Sequence, residues 1–116
     1  MIRSKAITQS AKGESCAVLS PYCNHDRSTV VWAHSNMQIH GKGRGIKAHD
    51  LFGCYSCSAC HDWLDLRSDG EAEYRDAYFH RAMAESILRL IEKGIVTIKD
   101  CEPEAAASKI LPRALC

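Results

Sequence analysis

The nine residues Cys57 to Asp65, CSACHDWLD, hold two cysteines, a histidine and two aspartates. Cys57 and Cys60 have the spacing of a zinc knuckle, in which two thiolates occupy half of a tetrahedral coordination sphere. Cys-x2-Cys-His is also the attachment signature of c-type haem, so the stretch has two readings until the rest of the chain is considered. A second pair, Cys16 and Cys23, flanks the Ser20-Pro21 turn and can supply the other half of a four-thiolate site. Structural zinc binds with a free energy on the order of 10 kcal/mol, comparable to the whole stability of a small domain. The alternative for these four residues is a set of buried free thiols. Cys54, Cys101 and Cys116 have no partner at ligand spacing and read as core or tail residues.

If zinc is satisfied by four sulfurs, His61 is free for other work. Asp65 lies four residues on, the same face of a helix, and an imidazole with a carboxylate can share a divalent ion such as magnesium, manganese or zinc. A hydrogen-bonded surface pair is the plainer reading of that spacing. His34 ends a β-branched, aromatic stretch, Ser28 to His34, and could face the helix if the strands form a hairpin. A neutral imidazole there could take a proton from water attacking a metal-bound phosphate. Lys42, Arg44 and Lys47 crowd a glycine-rich segment suited to close backbone approach, the composition of a phosphate grip or of a solvated loop.

The elements that must position these groups follow from pattern. The chain has 116 residues, 46% of them hydrophobic and 25% charged, which fits one domain with a modest core. Residues 1–13 are polar and basic and read as a flexible arm. Residues 14–99 form the domain, and 100–116 a tail. Two strands, 28–34 and 51–56, flank the glycine-rich loop, and a helix is expected from His61 to Arg67 with Leu66 facing inward. Glu71 to Lys93 carries the clearest helical periodicity, through Tyr74, Ala77, Tyr78, Met83, Ile87, Leu90 and Ile91, with Gly94 as its stop. Residues 95–99 suggest a last short strand. The net charge of +1 names no polyanionic partner by itself. No apolar run reaches the roughly 18 to 20 residues of a membrane span, and none has the form of an export signal. A cytosolic protein is expected, in which clustered cysteines bind metal more often than they pair, and this context disfavours the haem reading.

Trp32-Ala33-His34, the glycine-rich basic loop, Ala48-His49-Asp50-Leu51 and Cys57-Ser58-Ala59-Cys60-His61 with Asp65 occur in an order that resembles the HNH, or His-Me finger, nucleases. More narrowly the chain is similar to the prophage-encoded YbcO-type nucleases, and its Lys-Ala-His-Asp-Leu-Phe run resembles the phage recombination-enhancement nuclease Ref. The likeness covers about residues 14 to 67. It implies an α+β fold with a ββα-metal core, braced by a four-cysteine zinc site and followed by a long C-terminal helix. It also implies a metal-dependent DNA endonuclease of low sequence specificity, encoded by a phage or prophage and working in recombination or DNA processing in a bacterial cytoplasm. A recombinase is a candidate second partner. By that resemblance His34 is the general base, and Asp50 orients the base and its loop. His61 and Asp65 hold the catalytic Mg2+ or Mn2+, with Zn2+ also able to serve. Cys16, Cys23, Cys57 and Cys60 hold the structural Zn2+, while Lys42, Arg44 and Lys47 contact DNA. Ala33 departs from the pattern, standing where many relatives supply another metal ligand. The departure leaves a second reading open, a zinc-braced DNA- or protein-binding module without catalysis. A redox protein is a distant third, for want of a thioredoxin-like setting around Cys57 and Cys60.

Overall fold

The computed structural model describes residues 1–66 and 69–101. Its centre is an antiparallel pair, β1 (Val31–His34) and β2 (Gly53–Ser56), in register from Val31 opposite Ser56 to His34 opposite Gly53. Trp32 and Tyr55 face each other across the pair, edge to face at 5.1 Å, and both are buried. A short helix α1 (Lys5–Gln9) precedes the sheet, α2 (Ser58–Leu64) follows it, and α3 (Ala72–Glu92) packs across β2. Val18, Val30, Trp63, Leu64, Phe79 and Leu90 complete the core around these elements. This is a small α+β architecture in which one hairpin carries everything else.

Helix α2 begins three residues before the expected His61. The Cys57 sulfur serves as its N-cap, accepting from the Cys60 amide at 3.4 Å. Consequently His61 lies in the last turn, Asp65 caps the C-terminus, and Leu66 is exposed rather than inward. The first strand is also shorter than expected: Arg27–Thr29 form a 3-10 turn capped by the Asp26 carboxylate, which accepts from the Ser28 amide at 3.0 Å.

Helix α3 keeps its expected extent but turns a different face to the core. Phe79, Ala82, Ser86 and Leu90 are buried, whereas Tyr74 and Ala77 are exposed. Ser86 explains the rotation. Its hydroxyl accepts from the Tyr55 amide at 3.1 Å and donates to the Ala82 carbonyl at 2.7 Å, so a polar residue pays no burial penalty against β2. The helix ends in a Schellman motif: Gly94 at φ +74° donates to the Ile91 carbonyl, and Ile95 to that of Leu90, each at 3.0 Å. That motif turns the amides of Ile95 and Val96 back onto Leu90, so residues 95–99 form no strand.

Residues 1–13 are not a free arm. Ser4 caps α1 through its hydroxyl, Ile7 and Ala11 are buried on one face four residues apart, and α1 packs against β1. Ser10 bonds the Tyr55 hydroxyl at 2.8 Å, and Lys93 donates to the Ser10 carbonyl at 3.1 Å. An apolar pair at helical spacing is enough to dock so short a segment when polar anchors flank it. The expected tail lies, from residue 102 onward, outside the described residues. Among the described residues no helix is long and apolar enough to cross a membrane.

Candidate active site

Two groups of side chains meet near the start of α2. The first is the sulfur cluster. The Sγ atoms of Cys16, Cys23, Cys57 and Cys60 all lie within 4.8 Å of one another, and Cys16, Cys57 and Cys60 are buried. Tetrahedral zinc with Zn–S bonds of about 2.3 Å requires sulfurs about 3.8 Å apart. Cys23 and Cys57 stand at that separation, 3.8 Å, and all four sulfurs lie close enough to surround one ion. The surroundings suit thiolates. Backbone amides of Val18, Leu19 and Cys57 point at Cys16, the His25 amide at Cys23, and the Ser20 hydroxyl contacts Cys60 at 3.1 Å. Leu19 and His25 adopt positive φ, at 51° and 55°, which aims those amides at sulfur. Crowding divides the protons unevenly. The hydrogen bond from Cys60 holds the Cys16 thiol down to about 4, and the same bond pushes Cys60 up. Burial raises Cys23 to about 11. A cation among the four would remove the conflict.

The second group lines an open groove of about 560 Å³ between β1, the glycine-rich loop and α2. His34, His61, Asp65, Lys42 and Lys47 all border it. Arg44 does not. It sits exposed at the tip of a turn closed by paired Gly43 and Ile46 backbone bonds at 3.0 Å. Asp50 lies behind the groove, buried, with Oδ1 2.7 Å from His34 Nε2. Its Oδ2 accepts from the Ser4 amide at 2.5 Å, and Arg3 stands 3.3 Å from Oδ1. Burial alone would raise the Asp50 carboxyl. The bonds from His34 and Ser4, with the charge of Arg3, outweigh it and hold the group below the usual carboxylate value. Trp32 donates its indole N–H to the Asp50 carbonyl at 2.7 Å, tying the residue to the core. With Nε2 committed to Asp50, Nδ1 is the His34 nitrogen left to accept a proton.

His61 and Asp65 face each other at 3.7 Å, with side chains 40% and 55% exposed. Asn36 donates to the other Asp65 oxygen at 3.1 Å and borders the same groove. Sequence reading passed over Asn36, although it stands two residues from His34 and so on the same side of an extended chain. It also passed over Arg3 and Ser4, for which no local pattern offers a signal. Ala33 is buried beneath the sheet and adds no ligand. A divalent ion here would have His61 and Asp65 as protein ligands, an imidazole-and-carboxylate set that fits magnesium, manganese or zinc.

The chain has known relatives. A family model described as "Putative nuclease YbcO" matches residues 5–98, a span that includes the sulfur cluster, the groove and helices α1, α2 and α3. The chain belongs to the YbcO family. It is 32% identical over 93 residues to "Putative nuclease YbcO" of Escherichia coli strain K12, across 78% of this chain and 95% of that protein. The same values hold for "Putative nuclease ybcO" of Enterobacteria phage 82. A solved structure described as a putative bacteriophage protein from Escherichia coli K-12 superposes with a TM-score of 0.58 at 29% identity, covering 75% of this chain and 98% of that one. The alignments thus cover nearly the whole length of both relatives.

Proposed function

We propose that the chain is a metal-dependent DNA endonuclease of the HNH type, with a ββα-metal core formed by β1, β2 and α2. One observation carries the reading: a histidine backed by a buried carboxylate borders the same groove as an imidazole–carboxylate pair and two lysines. The family's description as a nuclease agrees with it.

In this reading His34 Nδ1 takes a proton from water as its oxygen attacks phosphorus, while the P–O3′ bond breaks and the departing oxygen gains a proton from solvent. Asp50 is a positioning residue. It fixes the His34 tautomer by accepting from Nε2–H and stabilises the charge the ring acquires. His61 and Asp65 would hold the catalytic ion, which when bound supplies stabilisation of negative charge on the scissile phosphate. Lys42 and Lys47 grip phosphates flanking the groove, and Arg44 reaches the backbone further out. Such contacts carry no base information, so cleavage has low sequence specificity and falls steeply with salt. Cys16, Cys23, Cys57 and Cys60 hold zinc that braces the start of α2, and so the position of His61. The relationship to Ref, a role in phage or prophage recombination in the bacterial cytoplasm, and a recombinase partner extend the same proposal.

The test is plasmid nicking by purified protein with magnesium or manganese. Wild type converts supercoiled to open-circular DNA, and His34→Ala abolishes conversion while keeping its zinc. DNA retention without cleavage under every divalent ion would instead support a zinc-braced binding module, the reading that buried Ala33 and the two-ligand metal set favour.

A further inference from the structure

Residues 2–4 form a strap along residues 47–50, the segment that carries Asp50, the carboxylate behind the general base. The Ile2 amide donates to His49 Nδ1 at 2.9 Å, and the Ile2 carbonyl accepts from the Asp50 amide at 2.9 Å. The Ser4 amide donates to Asp50 Oδ2 at 2.5 Å. Arg3 bridges three groups: Nη1 reaches the Ala48 carbonyl at 2.5 Å and Asp50 Oδ1 at 3.3 Å, and Nη2 reaches the Lys47 carbonyl at 2.7 Å. The matching surface is shaped to receive the strap. Gly41 lies at φ +95°, where a Cβ would come within 2.8 Å of the His49 ring, so the His49 that accepts from Ile2 depends on glycine there.

We propose that Arg3 is a positioning residue for the hydrolytic step, locking Asp50 against His34 and fixing the Lys47 end of the phosphate-gripping loop in the same frame. Its effect on rate rests on the nuclease reading, whereas its effect on His34 does not. A planar guanidinium can bind two carbonyls and a carboxylate at once, which an ammonium cannot. Its positive charge beside Asp50 also offsets part of the carboxylate's pull on the His34 proton, so removing it leaves His34 more basic. His61, Asp65, Lys42 and Lys47, the other charged or titratable groups around His34, are unchanged by the substitution and cancel in the comparison.

The experiment compares wild type, Arg3→Ala, Arg3→Lys and Lys5→Ala, all with zinc content verified, by plasmid-nicking kinetics with manganese and by NMR titration of the His34 ring. Loss of one charge-assisted anchor predicts a fall of about tenfold in kcat for Arg3→Ala, with KM changed less than about twofold. The acid limb of its rate profile and the His34 titration both move to higher pH. Arg3→Lys returns the titration to the wild-type position but recovers kcat only in part, and Lys5→Ala matches wild type in both. An Arg3→Ala variant with unmoved His34 titration, or one that changes KM alone, overturns the proposal, the latter because it makes Arg3 a DNA contact. If wild type cleaves no DNA, the nuclease reading falls and the His34 titration alone decides whether the strap positions the base.

Discussion

If the sulfur cage holds zinc as proposed, removing that ion is the perturbation with the largest expected consequence. The four cysteines join the chain after α1, the Ser20-Pro21 turn, the end of β2 and the first turn of α2. The sulfurs lie within 4.8 Å of one another and join the segments around Cys16 and Cys23 to the start of α2, where Cys57 and Cys60 stand. A structural zinc contributes about 10 kcal/mol or more at neutral pH, set against a total stability of about 5 to 15 kcal/mol for a domain of this kind. Stripping the metal, or replacing Cys60 by serine, therefore removes most or all of the folding free energy. Chelator-treated wild type and Cys60→Ser are both expected to lose the cooperative thermal transition and most helical circular dichroism near room temperature. Readdition of one equivalent of zinc restores the wild type only. The dependence on acid has a definite sign, because each ligand must be deprotonated to bind, so zinc affinity falls as pH falls. A chelated protein that keeps its melting temperature, or purified protein carrying far less than one zinc per chain while fully folded, would refute the assignment of the cage as the main brace.

Three further outcomes follow from the packing. Ser86→Ala leaves the buried Tyr55 amide without its acceptor, and should cost about 1 to 3 kcal/mol in chemical denaturation, more than its loss of one oxygen suggests. Gly53→Ala would place a Cβ 2.4 Å from the Trp32 indole nitrogen and 2.9 Å from the Ala33 carbonyl. It should destabilise by about 1 to 3 kcal/mol and, by displacing the indole that holds the Asp50 carbonyl, reduce nicking beyond that loss of folded protein. Glu14 is paired with Lys93 and Arg89; burial opposes its ionisation, but these cations outweigh it and lower its carboxyl below 4.5. Its contribution is present above that value and lost as pH falls through the lower folded one. Glu14→Gln, for a half-exposed group discounted for solvent screening, should cost under about 1 kcal/mol, a gap constant down to about pH 5 by urea denaturation and shrinking below it.

Spacing within the chain determined much of this molecule. The two cysteine pairs, the helix from residue 72 to 92 with Gly94 behind it, the strand ending on His34 and the four-residue step from His61 to Asp65 were all legible. Each depends on contacts between near neighbours or on the coordination geometry of one ion. What the linear pattern left undetermined concerns groups far apart in the chain. The inward face of α3 is set by Ser86 answering the Tyr55 amide, an exchange that hydrophobic periodicity ignores. The start of α2 is set by a sulfur acting as a cap, which moves His61 from the first turn to the last. Most of all, the first residues are polar enough to read as a loose arm. Only tertiary structure supplies the carbonyls of Lys47 and Ala48 and the carboxylate of Asp50 that give Arg3 and Ser4 their partners, more than forty positions away. Polar side chains carry no mark of whether water or a distant backbone will satisfy them, so that choice belongs to the fold.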